Sequence, residues 1–343
     1  MSRRSQTVNI YKIAEEAGVS AATVSRVINR RLGVGEKTRK RISDLVRGYN
    51  FTPDYPAVRT VRIAVISPAS DLTEYICEAM KGVYAYANPN ELMVNIIIAN
   101  APRKESLRET IRDQQCSGVI AIAPGGYMKE LYTLGDTDLP VVIIDDQIDD
   151  PKIGFIDNDS YSGSVEATRY LLGLGHRRIG YLRHYDPNLD QLQRFKGYEN
   201  TMKAAGAAIE KNWVLSVLPD PANEIWAMPG LLTMRRLLDQ APELTAVIAV
   251  DDSLALGAMT AIHERGLRIP EDISVLGFDN YPETQVWYPA LTTVDHAIEK
   301  AGYMAIEAIH AGLLNPGQWI PPREILPTSL VIRKSTGPAK NKV

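Results

Sequence analysis

The sequence predicts an α/β protein in two parts: a three-helix head carrying a helix-turn-helix, and a two-lobed body built on parallel sheets. Three observations carry that prediction. Apolar residues recur at helical spacing in three short segments between residues 10 and 46. From residue 63 onward, short Val- and Ile-rich runs alternate with longer amphipathic stretches, the pattern of strands buried on both faces. Charge is divided unevenly: residues 1–62 hold 13 Lys and Arg against 5 Asp and Glu, a net +8, and the remainder holds 25 against 36, a net −11. A basic head on an acidic body suits a head that meets a polyanion and a body that one would repel.

In the head, the helical stripe is Ile10, Ile13, Ala14, Val24, Val27, Ile28, Ile42, Leu45 and Val46. Gly18 separates the first two segments, where a residue without Cβ lets the chain turn sharply, and Ser20 stands where a helix N-cap is wanted. Thr38, Arg39, Lys40 and Arg41 precede the apolar residues of the third segment and are left to face solvent or phosphate. Residues 53–61 contain two prolines and no helical stripe, which predicts a linker between a head at 1–52 and a body at 62–333, with a tail at 334–343.

The predicted body strands are 63–66, 94–98, 119–123, 141–144, 179–182, 214–218, 247–250 and 273–276. That number of strands favours two similar lobes with a cleft between them over one open sheet. In such α/β architectures, ligands bind beyond the C-terminal ends of the strands. Asp145, Asp146, Asp251, Asp252 and Asp279 occupy those ends.

At 343 residues and 38.0 kDa the chain is long enough for two domains, and with 45% hydrophobic residues it can bury a sizeable core. The longest apolar stretches fall far short of the roughly 18 residues that span a bilayer. The N-terminus has basic residues but no apolar segment behind them, so it does not resemble a secretory signal, and a cytoplasmic location is expected. Cys77 and Cys116 have no metal-like spacing and read as ordinary buried thiols. No metal or cofactor is expected.

The segment IYKIAEEAGVSAATVSRVIN (10–29) closely resembles the helix-turn-helix of the LacI/GalR family of transcriptional regulators. LGHRRIGYL (174–182), RFKGY (194–198), VDDSLALGAM (250–259), GLRIPEDISVLGFDN (266–280) and LTTV (291–294) resemble the effector domain of that family, in its order. The resemblance implies a body of the periplasmic-binding-protein type. It also implies a homodimer whose paired heads bind a roughly palindromic operator in double-stranded DNA. A small molecule held between the lobes, a sugar in much of the family, would change operator affinity, and repression of carbohydrate-utilisation genes is the expected outcome.

The resemblance also assigns candidate residues. Residues 21–29 would form the recognition helix in the major groove. There Arg26 is suited to a bidentate contact with guanine, and Ala21 and Ala22 to thymine methyls. Ser20, Thr23, Ser25 and Asn29 are short donors suited to phosphate oxygens, and Tyr11 and Thr38 complete the DNA-binding set. In the body, Arg194 aligns with a family arginine that reaches into the cleft, and Asp279 with a family carboxylate that accepts from the ligand. Asp251 stands where Asn or Ser is more usual. As a carboxylate it favours a ligand rich in hydroxyls or carrying a positive group, with a pair to Arg194 as the alternative. Asp252 is expected to cap a helix starting at Ser253. Trp226, Asp145 and His296 complete the effector set, while Tyr75 matches the family's pocket aromatic only weakly.

One departure concerns the linker. The family's hinge helix carries a leucine that wedges into the minor groove, whereas here the stretch is shortened and Val58 is its only comparable apolar residue. Three other functions compete with this one. A nucleoside- or nucleobase-responsive member of the same family shares every motif above. A solute-binding protein for transport would lack the basic head. An enzyme is disfavoured because no phosphate-binding loop, HExxH, GxSxG or GxGxxG motif occurs.

Overall fold

The computed structural model describes residues 10–28, 34–49, 62–67, 74–98, 106–123, 128–185, 187–218 and 227–340. The chain divides into two compact units, residues 1–60 and 61–343. The predicted linker at 53–61 lies outside the described residues.

The head consists of α1 (Ile10–Ala17), α2 (Ala21–Ile28) and α3 (Glu36–Gly48). Ile13, Ala14, Ala17, Val24, Val27 and Ile42 form its buried centre, as the helical stripe predicts. Gly18 has φ +62°, the left-handed turn that glycine adopts without steric cost, and its N–H bonds to the Glu15 carbonyl at 3.1 Å. Ser20 Oγ then accepts from the Thr23 N–H at 3.2 Å, so it caps α2 as expected. Lys40 and Arg41 are exposed on α3.

In the body, the first lobe begins with β1 (Arg62–Ser67), α4 (Glu74–Ala87), β2 (Met93–Ile98) and α5 (Leu107–Asp113). It continues through β3 (Gly118–Ile122), α6 (Met128–Leu134), β4 (Val141–Ile144) and β5 (Gly154–Asn158). The second lobe comes next, with α7 (Ser160–Gly173), β6 (Ile179–Arg183), α8 (Leu189–Ala204), β7 (Val214–Ser216), α9 (Met228–Gln240) and β8 (Ala246–Ala249). It ends with α10 (Asp252–Glu264), β9 (Ser274–Leu276), α11 (Glu283–Val286) and β10 (Thr293–Asp295). The chain then returns to the first lobe in α12 (Ile298–Leu314) and β11 (Arg323–Leu326), and crosses again in β12 (Ser329–Val331).

The first lobe's sheet is parallel, in the order β11-β5-β4-β3-β1-β2, and the second is parallel, in the order β7-β6-β8-β9. The central strands of each sheet are buried on both faces. In β1, Ile63 and Val65 join the cluster under α4 and α12, while Ala64 and Ile66 join the cluster under α5 and α6. This is why these strands read as continuous apolar runs rather than alternating ones. The predicted strands all form.

The strands that periodicity does not reveal are β5, β10, β11 and β12. They are short or carry polar residues: β5 is GFIDN, and β10 pairs antiparallel with β12 at the crossover, so the body is not purely parallel. Two further expectations need correction. Cys77 is exposed and Cys116 half-buried, since Cys77 sits beside rather than on the buried stripe Ile76, Met80 and Val83 of α4. Of the expected tail, residues 334–340 are described and are held against the second lobe. Ser335 and Thr336 are buried, Ser335 Oγ donates to the Val275 carbonyl, and Ala339 N–H bonds to the Leu174 carbonyl at 2.8 Å. Among the described residues, no helix is long and apolar enough to cross a membrane.

Candidate effector cleft and DNA-binding head

The strand ends of both lobes converge on a cleft of about 330 Å³. Tyr75, Ala123 and Asp145 line it from the first lobe, and His184, Arg194 and Asp279 are among those lining it from the second. Two of its carboxylates stand on backbone that most residues avoid: Asp145 follows β4 at φ +65° and Asp279 follows β9 at φ +119°. Such conformations cost on the order of 1–3 kcal/mol and persist where the surroundings hold them. Here the Asp279 N–H is held by the Val294 carbonyl at 2.8 Å, and that of Asp145 by the Ile156 carbonyl at 3.3 Å.

Arg194 projects from α8 and is almost wholly buried. Its Nη1 donates to the Val250 carbonyl at 2.8 Å and to Asp279 Oδ1 at 3.1 Å, and Nε donates to Ser160 Oγ at 3.3 Å. The guanidinium lies 3.8 Å from the centre of the Phe278 ring. Burial nevertheless pushes the Asp279 carboxyl up to about 7, against the pull of Arg194.

Asp251 does not pair with Arg194. Its Oδ1 accepts from the Leu254 N–H at 2.8 Å and caps α10, while Oδ2 meets His184 Nε2 at 2.5 Å. Burial opposes its ionisation, but His184, the Leu254 N–H and Arg194 outweigh burial and hold it below the usual carboxylate range. In return, burial disfavours the imidazolium of His184, yet the Asp251 carboxylate overrides this and raises its pKa.

The helix therefore starts at Asp252, one residue before the expected position, and Asp251 rather than Asp252 caps it. Asp252 is fully enclosed and accepts instead from the Tyr281 N–H at 3.0 Å and Thr293 Oγ1 at 2.6 Å. Gly277 makes room for it: a Cβ there would lie 2.2 Å from Asp252 Oδ1.

Asp145 sits beside Asp190 of α8, and Asn158 Nδ2 donates to both, at 3.2 Å and 3.0 Å. This links the two lobes through one amide. Burial and the neighbouring Asp190 raise the Asp145 pKa well above the usual carboxylate value. Carboxylate oxygens of Asp145, Asp157 and Asp190 lie within 4.8 Å of one another. The donors around them are amides, Asn158 for Asp145 and Asp190 and Gln147 for Asp157.

His296 follows β10, is wholly buried, and lies 3.7 Å through Nε2 from Asp279 Oδ1. Its ring packs against Tyr75 and Phe278. Burial, then Arg194, pushes its pKa well below the ordinary histidine value, so it is neutral.

Of the six effector-site residues expected from the sequence, five come together in or beside the cleft: Arg194, Asp279, Asp251, Asp145 and His296. Trp226 lies outside the described residues. Sequence reasoning missed His184, Asp190 and Asn158. His184 follows β6 directly, so the strand-end rule that selects Asp145 also reaches it. Asp190 precedes Arg194 by four residues, one helical turn along the same face of α8.

In the head, Ser20 Oγ and Thr23 Oγ1 lie 2.9 Å apart and are half engaged with each other. Ala21, expected to touch bases, is half-buried and rests partly against the head's core, and Thr38 is half-buried on α3. Tyr11, Ala22, Ser25 and Arg26 belong to α1 and α2, with side chains outside the described set, and Asn29 lies outside the described residues.

A helix-turn-helix head joined in one chain to a two-lobed, cleft-bearing body defines a DNA-binding protein that also carries a ligand-binding domain. Comparison with known proteins agrees. The lacI-family model of bacterial regulatory proteins matches residues 9–54, and a periplasmic binding protein-like domain matches residues 168–336. The chain is 30% identical over 307 residues to the HTH-type transcriptional repressor PurR of Glaesserella parasuis serovar 5 (strain SH0165), covering 88% of each chain. It is 29% identical to the Ribose operon repressor of Haemophilus influenzae, covering 89% of this chain and 92% of that one. Among solved structures it superposes on the lac repressor dimer bound to operator and the anti-inducer ONPF with a TM-score of 0.72. Their identity is 25%, and the match covers 97% of this chain and 100% of that one. The chain belongs to the LacI family of bacterial regulatory proteins, and is a DNA-binding transcriptional repressor with a ligand-binding body.

Proposed function

We propose that this repressor controls carbohydrate-utilisation genes and that a small sugar-like effector, bound between the lobes, sets its affinity for operator DNA. The observation that carries the reading is the cleft itself: about 330 Å³, at the C-terminal ends of parallel strands, lined from both lobes by hydrogen-bonding side chains. Carboxylates that accept and a guanidinium that donates in a fixed fork suit the hydroxyls of a sugar. The Ribose operon repressor among the relatives supports the same ligand class.

In this reading Arg194, Asp279, Asp251, Asp145, His296 and Trp226 contact or position the effector. In the head, Arg26 reads a base edge with Ala21 and Ala22 beside it, while Tyr11, Ser20, Thr23, Ser25, Asn29 and Thr38 meet phosphates and position the recognition helix. The protein acts in the cytoplasm as a homodimer on a two-fold operator. Neither catalysis nor a cofactor enters the reading.

The test is a thermal-shift screen of the purified protein against sugars, sugar phosphates, nucleosides and nucleobases, followed by operator binding with and without each hit. A sugar that raises the melting temperature, changes operator affinity and loses its effect in Arg194→Ala is the expected result. A nucleobase or nucleoside doing all three in place of a sugar refutes the carbohydrate assignment.

A further inference from the structure

Among the described residues, the carboxyl groups lining the cleft outnumber the cations, and this imbalance specifies the ligand more closely than "sugar-like". Arg194 is committed to Asp279 and the Val250 carbonyl, and His184 to Asp251. Asp145 and Asp190, which approach from opposite lobes, share the amide of Asn158 and lie against each other, carboxyl to carboxyl. Among the described residues neither forms an ion pair. Glu74 adds another acid to the cleft wall.

A second, independent observation lies alongside. Tyr75 Oη and both ring nitrogens of His296 are buried with no hydrogen-bond partner among the described residues. Buried polar groups in folded proteins are nearly always paired, so such a cluster beside a cavity calls for a partner that a hydroxylated guest can supply. His296 faces Asp279 and Tyr75, and Tyr75 lines the cleft with Asp145. A guest that satisfies this set must bring donors for the carboxylates and hydroxyls for Tyr75 and His296. Among the described residues, an anionic guest would meet several carboxylates against the Arg194 guanidinium and the His184 imidazole, both already engaged.

Building on the effector reading above, we propose that the cleft selects a cationic, hydroxylated amine, of which an amino sugar is the simplest case. Its ammonium group seats at Asp145 and Asp190, and its hydroxyls pair with Asp279, Tyr75 and His296. An ammonium there favours the ionised form of Asp145, which burial and Asp190 otherwise oppose, and joins the two lobes more strongly than the Asn158 amide does, because hydrogen bonds between ionised partners are about twice as strong as neutral ones. Ligand binding and lobe closure thus draw on the same contact.

The test is isothermal titration of the full-length protein with glucosamine, galactosamine and mannosamine, each against its parent hexose, and with glucose 6-phosphate as the anion. At least one amine is expected to bind about tenfold or more tightly than its parent, a factor that corresponds to about 1.4 kcal/mol. Asp145→Asn is expected to cut that preference to about threefold or less, and Asp190→Asn serves in its place if Asp145→Asn does not fold. A hexose that binds as tightly as its amine, or tighter binding of the phosphate, overturns this proposal while leaving the sugar-effector reading intact. Binding of no sugar of either kind overturns both.

Discussion

Arg194 Nη1 lies 3.1 Å from Asp279 Oδ1, with both side chains almost wholly withdrawn from water. This pair joins α8 to the strand-end turn after β9 and fixes one wall of the cleft. A buried ion pair is a modest source of net stability, but breaking one leaves an uncompensated charge. Arg194 therefore has two separable effects, one on the fold of the second lobe and one on the ligand.

Arg194→Ala is expected to lower stability by about 3–5 kcal/mol at pH 8, the usual cost of stranding a buried charge. The loss should be smaller at pH 5. Asp279 already titrates near 7 with the arginine present, and removing that cation raises its pKa further, so at low pH the carboxyl is neutral and little charge is stranded. Urea unfolding at the two pH values checks this; an equal loss at both would mean that Asp279 is not the group left unpaired.

The His184–Asp251 contact has the opposite pH dependence. His184 has a raised folded pKa, so its contribution is fully present below its unfolded value near 6.5 and is lost as pH rises through the folded value. Asp251 has a lowered folded pKa, so its contribution is present above the unfolded carboxylate value and is lost as pH falls through the folded one. The stability difference between wild type and His184→Gln should accordingly shrink as pH is raised from 6 to 8. A difference that grows over that range would contradict an imidazolium–carboxylate pair.

Much of this arrangement is legible in the sequence. Gly18 and Ser20 mark the turn because positive φ and N-capping are local demands that particular residue types meet. Asp145 and Asp279 stand out because each follows a Val- or Ile-rich run, and strand ends in such sheets carry the ligand groups. Partners are harder to assign. Whether Asp251 meets Arg194 or His184 depends on which strand lies beside which: β6 neighbours β8 in the second sheet, and this places His184 next to Asp251. Asp190 shares a face of α8 with Arg194, but its meeting with Asp145 arises only when the lobes face each other across the cleft, a long-range relationship that helical spacing does not encode. The one-residue error at Asp251 and Asp252 arises because two adjacent aspartates both satisfy the capping rule.

Gly277 is expected to be intolerant of substitution. An alanine Cβ would stand 2.2 Å from Asp252 Oδ1 and 3.0 Å from Leu291 Cδ2, in a region with no exposed side able to give way. Overpacking of this kind costs about 1–3 kcal/mol. Displacing Asp252 would also loosen the Tyr281 and Thr293 contacts that shape the turn carrying Asp279. Gly277→Ala should thus lower the melting temperature and weaken effector binding together; full stability with full binding would show that the turn adapts.

Ser20 allows capping and DNA contact to be separated within the head. Its Oγ accepts from the Thr23 N–H, so Ser20→Ala should cost the head about 1 kcal/mol, whereas Ser20→Asp, an equally good N-cap, should not. The two variants diverge on DNA. If Ser20 also faces a phosphate, Ser20→Asp places a negative charge against the backbone and weakens operator binding despite an intact cap. Arg26→Ala provides the reference for base reading: an intact head, with about 1–3 kcal/mol less discrimination between operator and a mismatched site. Fluorescence anisotropy on operator and mismatched duplexes, alongside thermal melts of each variant, resolves the three. Wild-type operator affinity in Ser20→Asp would confine Ser20 to capping, and unchanged discrimination in Arg26→Ala would remove that residue from base readout.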